Sequence, residues 1–282
     1  ETFVRRDLAA LRERGWETRC FGLDQRFATP VPATGEAAAL PPLAPALLSR
    51  GRTLARSPRQ ALALLRAWRL ALAAARAARG ADLILAEFAW LTADVAAVAS
   101  RLSGTPWVCA VHAWDVFAQP RRAVRSRLAG AAGVVACSDA ARRAVIDSGI
   151  PAGRVARIHH GLPLDHYPCR AAQPAADDIL VAVGRLEPKK GFDRLIEAWA
   201  GLPRRPTAML HFVGDGRARS VLERRVARLR LDSTVRFHGR LSPEETRRIL
   251  RAATLLVLPS RRLPDGDRDG IANVLVEAMA LG

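Results

Sequence analysis

The side chains best placed for chemistry stand directly after short apolar runs, where open parallel sheets bind ligands at the carboxyl ends of their strands. Ile179-Leu-Val-Ala-Val183 runs into Gly184-Arg-Leu-Glu-Pro-Lys-Lys-Gly191, which brings a guanidinium, Arg185, and an ammonium, Lys190, to one turn between glycines. Two cations above a sheet edge suit a diphosphate, which needs charge-assisted bonds to stay bound away from bulk water. A solvated basic turn would use the same residues. Ala208-Met-Leu-His-Phe-Val213 ends in Gly214-Asp-Gly216, a ligand-facing turn or one that needs glycine on steric grounds alone. A third run, Thr254 to Leu258, stops at Pro259-Ser260 and leads through Asp269, Gly270 and Ile271 into a helix beginning near Ala272. Backbone N–H groups at that helix start would point toward a bound anion. Glu277 follows Asp269 by eight residues, and the two acids could hold hydroxyls at two points of one elongated ligand. A helix-start Asp and an ordinary surface Glu are the plainer alternative. In the first half, His112 follows Trp107–Val111 and Ser138 follows Val134–Cys137, so both stand at strand tips.

Such positions require alternating strands and helices. A helix is predicted from Glu1 to about Arg14, with Phe3, Leu8 and Leu11 on one face, then a strand over Thr18–Gly22. Residues 24–50 read as a loop, and Ser57 to Arg79 as a long helix. Along one side of that helix Arg59, Arg66, Arg69 and Arg76 form a stripe, either a solvated face or one that could dock on anionic lipid. Short apolar strands at Asp82–Ala86, Trp107–Val111, Val134–Cys137 and Arg154–Ile158 alternate with helical patterns, the signature of a parallel sheet with helices on both faces. Pro168 to Asp178 interrupts the pattern, dividing the chain into domains 1–170 and 171–282. The pattern then restarts, with strands at Ile179–Val183, Ala208–Val213, Val235–Gly239 and Thr254–Leu258. Ser242-Pro-Glu-Glu245 has the form of a capped helix start.

Half of the 282 residues are apolar, enough for two domains of ordinary size. The net charge of +17 is almost all arginine. It permits anionic partners, although the base composition of the genome is the plainer cause. The only two lysines, Lys189 and Lys190, are adjacent, so a chain that elsewhere uses arginine places both ammonium groups in one turn. Cys20, Cys109, Cys137 and Cys169 show neither CxxC nor metal-ligand spacing and read as small buried hydrophobes in a reducing compartment. No apolar run reaches about 18 residues without an arginine, so no membrane span is expected. The chain opens on Glu1 and closes at Leu281-Gly282 inside a helix-like pattern, and is read as a fragment lacking residues on both sides.

The runs VGRLEPKKGFDRLIEAW, FVGDG, VRFHGRLSPEE, LLVLPS and GDRDGIANVLVEAMALG occur in this order over most of residues 179–282. Together they resemble retaining glycosyltransferases of family 4, in the flavour of exopolysaccharide or colanic-acid-type assembly. The first half carries the looser matches ETFVRRDLAALRERGWE, AVHAWDVF, ACSDAARR and IHHGLPLDHY. The resemblance implies the α/β GT-B fold, two Rossmann-like domains facing each other across a cleft, the first for the acceptor and the second for a nucleotide sugar. It implies that Arg185 and Lys190 hold the donor diphosphate. Asp269 and Glu277 correspond to the family's pair of acids, the first on the transferred sugar and the second on the ribose. Gly270 and Ile271 would offer amides near sugar and phosphates, Gly214 would line the nucleotide site, His112 would face the reacting sugar, and Ser138 would line the cleft. Asp269 stands where many relatives have Glu, and Glu87-Phe88 where the nearest have His-Phe.

The activity so implied is transfer with retention from a nucleotide-diphosphate sugar, as co-substrate, to a saccharide or lipid-linked acceptor. No cofactor or metal is expected, and the cytoplasm, at the inner face of the membrane, is the expected location. Three rivals are weighed. A basic nucleic-acid-binding protein lacks support, since no zinc finger or interleaved aromatic motif occurs and Tyr167 is the only tyrosine. A dinucleotide-dependent oxidoreductase would need GxGxxG after a strand, which is absent. An inactive nucleotide-sugar-binding fragment shares every motif above.

Overall fold

The computed structural model describes residues 2–20, 68, 70–169, 178–202 and 208–282. They form two compact units, Glu1–His159 and His160–Gly282. The second begins upstream of residue 171 because Leu162 and Tyr167 pack into its core with Val181, Val213 and Leu250. Residues 24–50, Arg59, Arg66 and Arg69 of the arginine stripe, and residues 170–177 of the expected linker lie outside the described residues.

The first unit opens with α1 (Thr2–Glu13) and α2 (residues 70–78). It continues through β1 (Ile84–Glu87), α3 (Leu91–Ser103), β2 (Trp107–Val111), α4 (Ala113–Phe117), α5 (Arg121–Leu128), β3 (Gly133–Ala136), α6 (Asp139–Asp147) and β4 (Val155–Arg157). The strands pair in parallel in the order β1-β2-β3-β4. Successive strands are neighbours, so right-handed connections carry the intervening helices to the same face. Accordingly Trp107, Cys109 and Val111, alternate residues of β2, are buried with Ala93 and Ala96 of α3, Val124 and Leu128 of α5, and Ala141 and Val145 of α6. Ala71, Ala74 and Ala75 of α2 pack on Val95 and Ala99 of α3, small residues on both sides.

Two expectations shift here. Thr18–Cys20, expected in a strand, carry none, and β1 begins at Ile84 rather than Asp82, where the ladder to β2 starts at Ile84↔Trp107. The cysteines also divide: Cys109 and Cys137 are buried as small hydrophobes, but Cys20 is half-buried and Cys169 exposed, which corrects the uniform reading. Among the described residues no helix is long and apolar enough to cross a membrane.

The second unit comprises β5 (Ile179–Val183), α7 (Phe192–Ala200), β6 (Met209–Val213), α8 (Arg219–Arg228), β7 (Val235–Gly239), α9 (Pro243–Ala252), β8 (Leu255–Leu256) and α10 (Asn273–Leu281). Its parallel sheet has the order β7-β6-β5-β8. The chain therefore winds outward from β5 through β6 to β7, then returns to the other side of β5. Right-handed crossovers must place α7 and α8 on one face and α9 on the other. The cores agree. Phe192, Leu195, Ile196, Leu222 and Val226 of α7 and α8 pack over Ala182, Leu210 and Phe212, whereas Leu250 of α9 and Leu281 of α10 pack over Val181 and Val213. Ser242 caps α9 as its sequence predicts, its Oγ accepting from Glu245 N while Glu245 Oε2 accepts from Ser242 N. β8 is shorter than the Thr254–Leu258 run, because only Leu255 and Leu256 pair with β5.

The winding direction reverses between β5 and β8, the position in open parallel sheets where ligands bind beyond the carboxyl ends of the strands. The turns that follow them come together there. Gly191 has φ +68°, and a Cβ on it would lie 2.1 Å from Pro259 O. Any side chain would force the turn after β5 away from the segment after β8. Gly191→Ala is therefore expected to cost at least about 2 kcal/mol in urea unfolding, and a variant as stable as the parent would contradict this close approach.

Candidate functional site

The predicted cation and acid of the second unit meet at this reversal. Lys190 ends a short turn of 3-10 helix, Pro188–Lys190, and its Nζ donates to Asp269 Oδ2 at 2.7 Å. Ser260 Oγ donates to the same oxygen at 2.6 Å. One residue earlier, Lys189 Nζ donates to Asp267 Oδ1 at 3.1 Å. Arg261 adds three further bonds: its N–H to Lys189 O at 2.8 Å, its Nε to Pro188 O at 3.0 Å and its Nη1 to Asp193 Oδ2 at 3.1 Å. The segment after β8 is thus tied to the turn after β5 by both lysines and by Arg261.

On the other side the β5 turn is sewn to the Gly214-Asp-Gly216 turn. Leu186 N donates to Asp215 O and Ala218 N to Leu186 O, with the Leu186 side chain fully buried. Gly214 has the steric reason the sequence left open, since a Cβ there would stand 2.0 Å from Gly184 O. Gly184 in turn makes room for a lysine stem: its own Cβ would lie 3.2 Å from Lys190 Cε.

The two lysine side chains are only 9% and 11% exposed, so each charge depends on its aspartate. Burial is the largest influence on Asp269 and pushes its carboxyl up, but hydrogen bonds from Lys190 and Ser260 and the charges of Lys190 and Lys189 outweigh it. The net result is a carboxyl below its usual 3.8. Lysine carries three N–H donors, and Asp269 takes one, so Lys190 can bridge the acid and a bound anion. Arg185, by contrast, is 70% exposed and its Nη1 bonds Glu187 Oε1 at 3.1 Å. It stands at the rim, not in the buried pair. Gly270 and Ile271 precede α10, whose N-cap Ala272 provides no side-chain cap, leaving that helix start suited to an anion. Glu277 lies half-buried on α10.

In the first unit, His112 and Glu87 form a second polar centre. His112 Nε2 and Glu87 Oε2 are 3.0 Å apart, bringing together the tips of β2 and β1. The Asp115 carboxylate, 1% exposed, secures both: its Oδ2 accepts from His112 N at 2.9 Å and from Ala89 N at 3.0 Å. Burial dominates the Asp115 carboxyl and pushes it up, against the lowering effect of those backbone donors. Between them Phe88 has φ +75°, an uncommon conformation for a bulky residue. Its N–H donates to Ala110 O at 2.9 Å, Thr92 Oγ1 donates to its carbonyl at 2.7 Å, and its ring lies 4.4 Å from that of His112. Burial, then the charge of Glu87, push the Asp7 carboxyl of α1 upward, so α1 brings a third acid to this centre. Ser138 caps α6, its Oγ accepting from Ala141 N at 3.2 Å, which accounts for a serine there. Among the described residues no three His, Cys, Asp or Glu side chains group as metal ligands would.

Sequence reasoning missed Asp115, although an acid three residues after an N-cap is a helix-start signal. It saw Glu87 only as a departure from relatives, where the structure makes it the partner of His112.

Because the folded Asp269 titrates below 3.8, the unfolded chain binds more protons there. The pair therefore stabilises the fold above that pH, and its contribution is lost as pH falls through the folded value. Asp269→Asn leaves Lys190 buried without a carboxylate, at an expected cost of about 3–5 kcal/mol near neutral pH. Urea unfolding should show the gap between parent and variant narrowing as the pH falls below 3.8. An unchanged gap would contradict the depressed carboxyl.

The fold recurs in known proteins. The description "Glycosyltransferase Family 4" matches residues 1–166 and "Glycosyl transferases group 1" matches residues 170–282. TuaC of Bacillus subtilis, assigned to teichuronic acid biosynthesis, is 31% identical over 217 residues, covering 71% of this chain and 51% of that protein. WcaL of Escherichia coli, assigned to colanic acid biosynthesis, is 30% identical over 136 residues, covering 48% of this chain and 34% of its own. Among solved structures, Anabaena HepE with UDP-glucose aligns with TM-score 0.62 at 26% identity, over 75% of this chain and 60% of that one. The chain thus spans about half or less of the length of these curated relatives. With one family description covering more than half of its residues and a second continuing to its last, the chain belongs to glycosyltransferase family 4, of the GT-B fold.

Proposed function

We propose that the protein transfers a sugar from a nucleoside-diphosphate donor to a hydroxyl of a saccharide or lipid-linked acceptor, with retention at the anomeric carbon, in cell-surface polysaccharide synthesis. The observation that carries this reading is the Lys190–Asp269 bond at the β5/β8 reversal, a buried ammonium beside an uncapped helix start. HepE complexes with UDP and UDP-glucose favour a uridine donor, and the assignments of TuaC and WcaL favour a polysaccharide product.

In this reading the diphosphate lies over the β5 turn, with Lys190 and the more exposed Arg185 supplying positive charge and the amides of Gly270, Ile271 and the α10 start supplying donors. The bond between the anomeric carbon and the phosphate oxygen breaks, and its electron pair leaves with the diphosphate. That developing charge is what fixed cations and amides stabilise most. The acceptor oxygen attacks the same face of the sugar, and its proton passes to the departing phosphate oxygen. Asp269, fixed by Lys190 and Ser260, accepts hydrogen bonds from sugar hydroxyls, and Glu277 does so from the ribose. His112, by resemblance to the family, contacts the transferred sugar. No strong base is required.

The test is product formation by the protein with a set of UDP- and GDP-sugars and saccharide acceptors. Lys190→Ala should lose about 10²–10³-fold in turnover. Arg185→Ala should lose most of it, and Asp269→Ala should change the preference among donor sugars. Parental turnover in both cation variants would remove the phosphate site from the account.

A further inference from the structure

We propose that Trp90 and Trp114 form a stacking platform for a pyranose ring of the acceptor. The inference rests on the glycosyltransferase reading and adds to it where, and through which chemistry, the first unit holds its saccharide. The two indoles lie 5.1 Å apart, nearly perpendicular, yet remain 42% and 41% exposed. A tryptophan has one of the largest apolar surfaces to bury, so two in contact that are left open form a patch and not scattered exposure.

Both are held in place. The Arg127 guanidinium lies 4.1 Å over the Trp90 ring, with its Nε 3.7 Å from Asp94. Trp114 occupies the first turn of α4, which Asp115 fixes through the His112 N–H. The same carboxylate holds Ala89 N, the residue before Trp90, so one buried group sets the spacing of the two indoles. An aromatic surface that is fixed before binding loses little entropy when a ligand arrives.

The neighbours point to a sugar. Trp90 follows Glu87, the last residue of β1, by three positions, Trp114 follows His112 by two, and the side chains of Glu87 and His112 meet at 3.0 Å. A pyranose presents one face of C–H bonds, which suits an indole, and a rim of hydroxyls, which suits an imidazole–carboxylate pair. Two side chains offer far less than the roughly 800 Å² per partner of a stable protein interface.

The experiment is saturation-transfer NMR of the protein with methyl glycosides of glucose, galactose, mannose, N-acetylglucosamine and glucuronic acid, beside a UDP-glucose titration. At least one glycoside should take up saturation at its ring C–H protons. Trp90→Ala with Trp114→Ala should weaken that binding about five- to tenfold, Trp114→Phe should keep part of it, and UDP-glucose binding should not change. If the double variant fails to fold, Trp90→Gln and Trp114→Gln singly should each read the same loss. Equal glycoside binding in parent and variants, or no glycoside binding while UDP-glucose binds, would overturn the platform. Loss of flotation with phosphatidylglycerol vesicles in place of glycoside binding would assign the patch to lipid and also overturn it. Failure of the parent to bind UDP-glucose or any other of the UDP- and GDP-sugars would instead strike the glycosyltransferase reading itself.

Discussion

The bond between Lys190 and Asp269 is the constraint on which the second unit's site depends. Two charges so little exposed are tolerable only together, because each alone would pay a large desolvation penalty. Their pairing forces the segment after β8 to lie against the turn after β5, and every other feature of the site accommodates that approach. Gly191 leaves room for the Pro259 carbonyl, Gly184 leaves room for the lysine stem, and Lys189 with Asp267 repeats the bond one step outward. The chain uses its only two lysines here. A guanidinium is planar and wide, whereas an ammonium on a slender stem passes Gly184 and delivers a point donor. The pair holds its acid ionised and its cation in place before any ligand arrives, the preorganisation that electrostatic catalysis needs.

The first unit solves a similar problem with one buried carboxylate. Asp115 joins the connection after β1 to that after β2 by two backbone bonds, and Glu87, Phe88, Trp90, His112 and Trp114 take their positions from that join. The left-handed backbone at Phe88 is a local cost that this network sustains. In both units, then, a carboxylate fixes the loops at the strand tips, and the side chains suited to ligands stand on those loops.

Much of this was legible in the sequence for definite reasons. Strands such as Ile179–Val183 and Trp107–Val111 are short, apolar and bounded by turn residues, and the Ser242 helix start has its full capping pattern, so each appears where expected. That Lys190 and Asp269 stand at strand tips was legible, because strands of parallel sheets end in turns whose residues the sequence marks with glycine and proline. What stayed hidden was pairing. Nothing in the spacing tells that Lys190 and Asp269, 79 residues apart, bond to each other, or that Arg185 turns outward to Glu187. The strand expected over Thr18–Gly22 is not formed by its described part, Thr18–Cys20, since a strand exists only with a neighbour to pair. Cys169 read as buried from its residue type alone, and it lies exposed beyond the last short turn of the preceding segment.

The most direct test is calorimetric titration of UDP, without its sugar, against the parent protein, Lys190→Ala and Lys190→Arg at low and high salt. UDP isolates the diphosphate from the sugar and the acceptor. The account predicts binding by the parent that weakens with salt, its loss in Lys190→Ala, and only partial recovery in Lys190→Arg, because the wider guanidinium cannot follow the path past Gly184. Undiminished UDP binding by Lys190→Ala would contradict it.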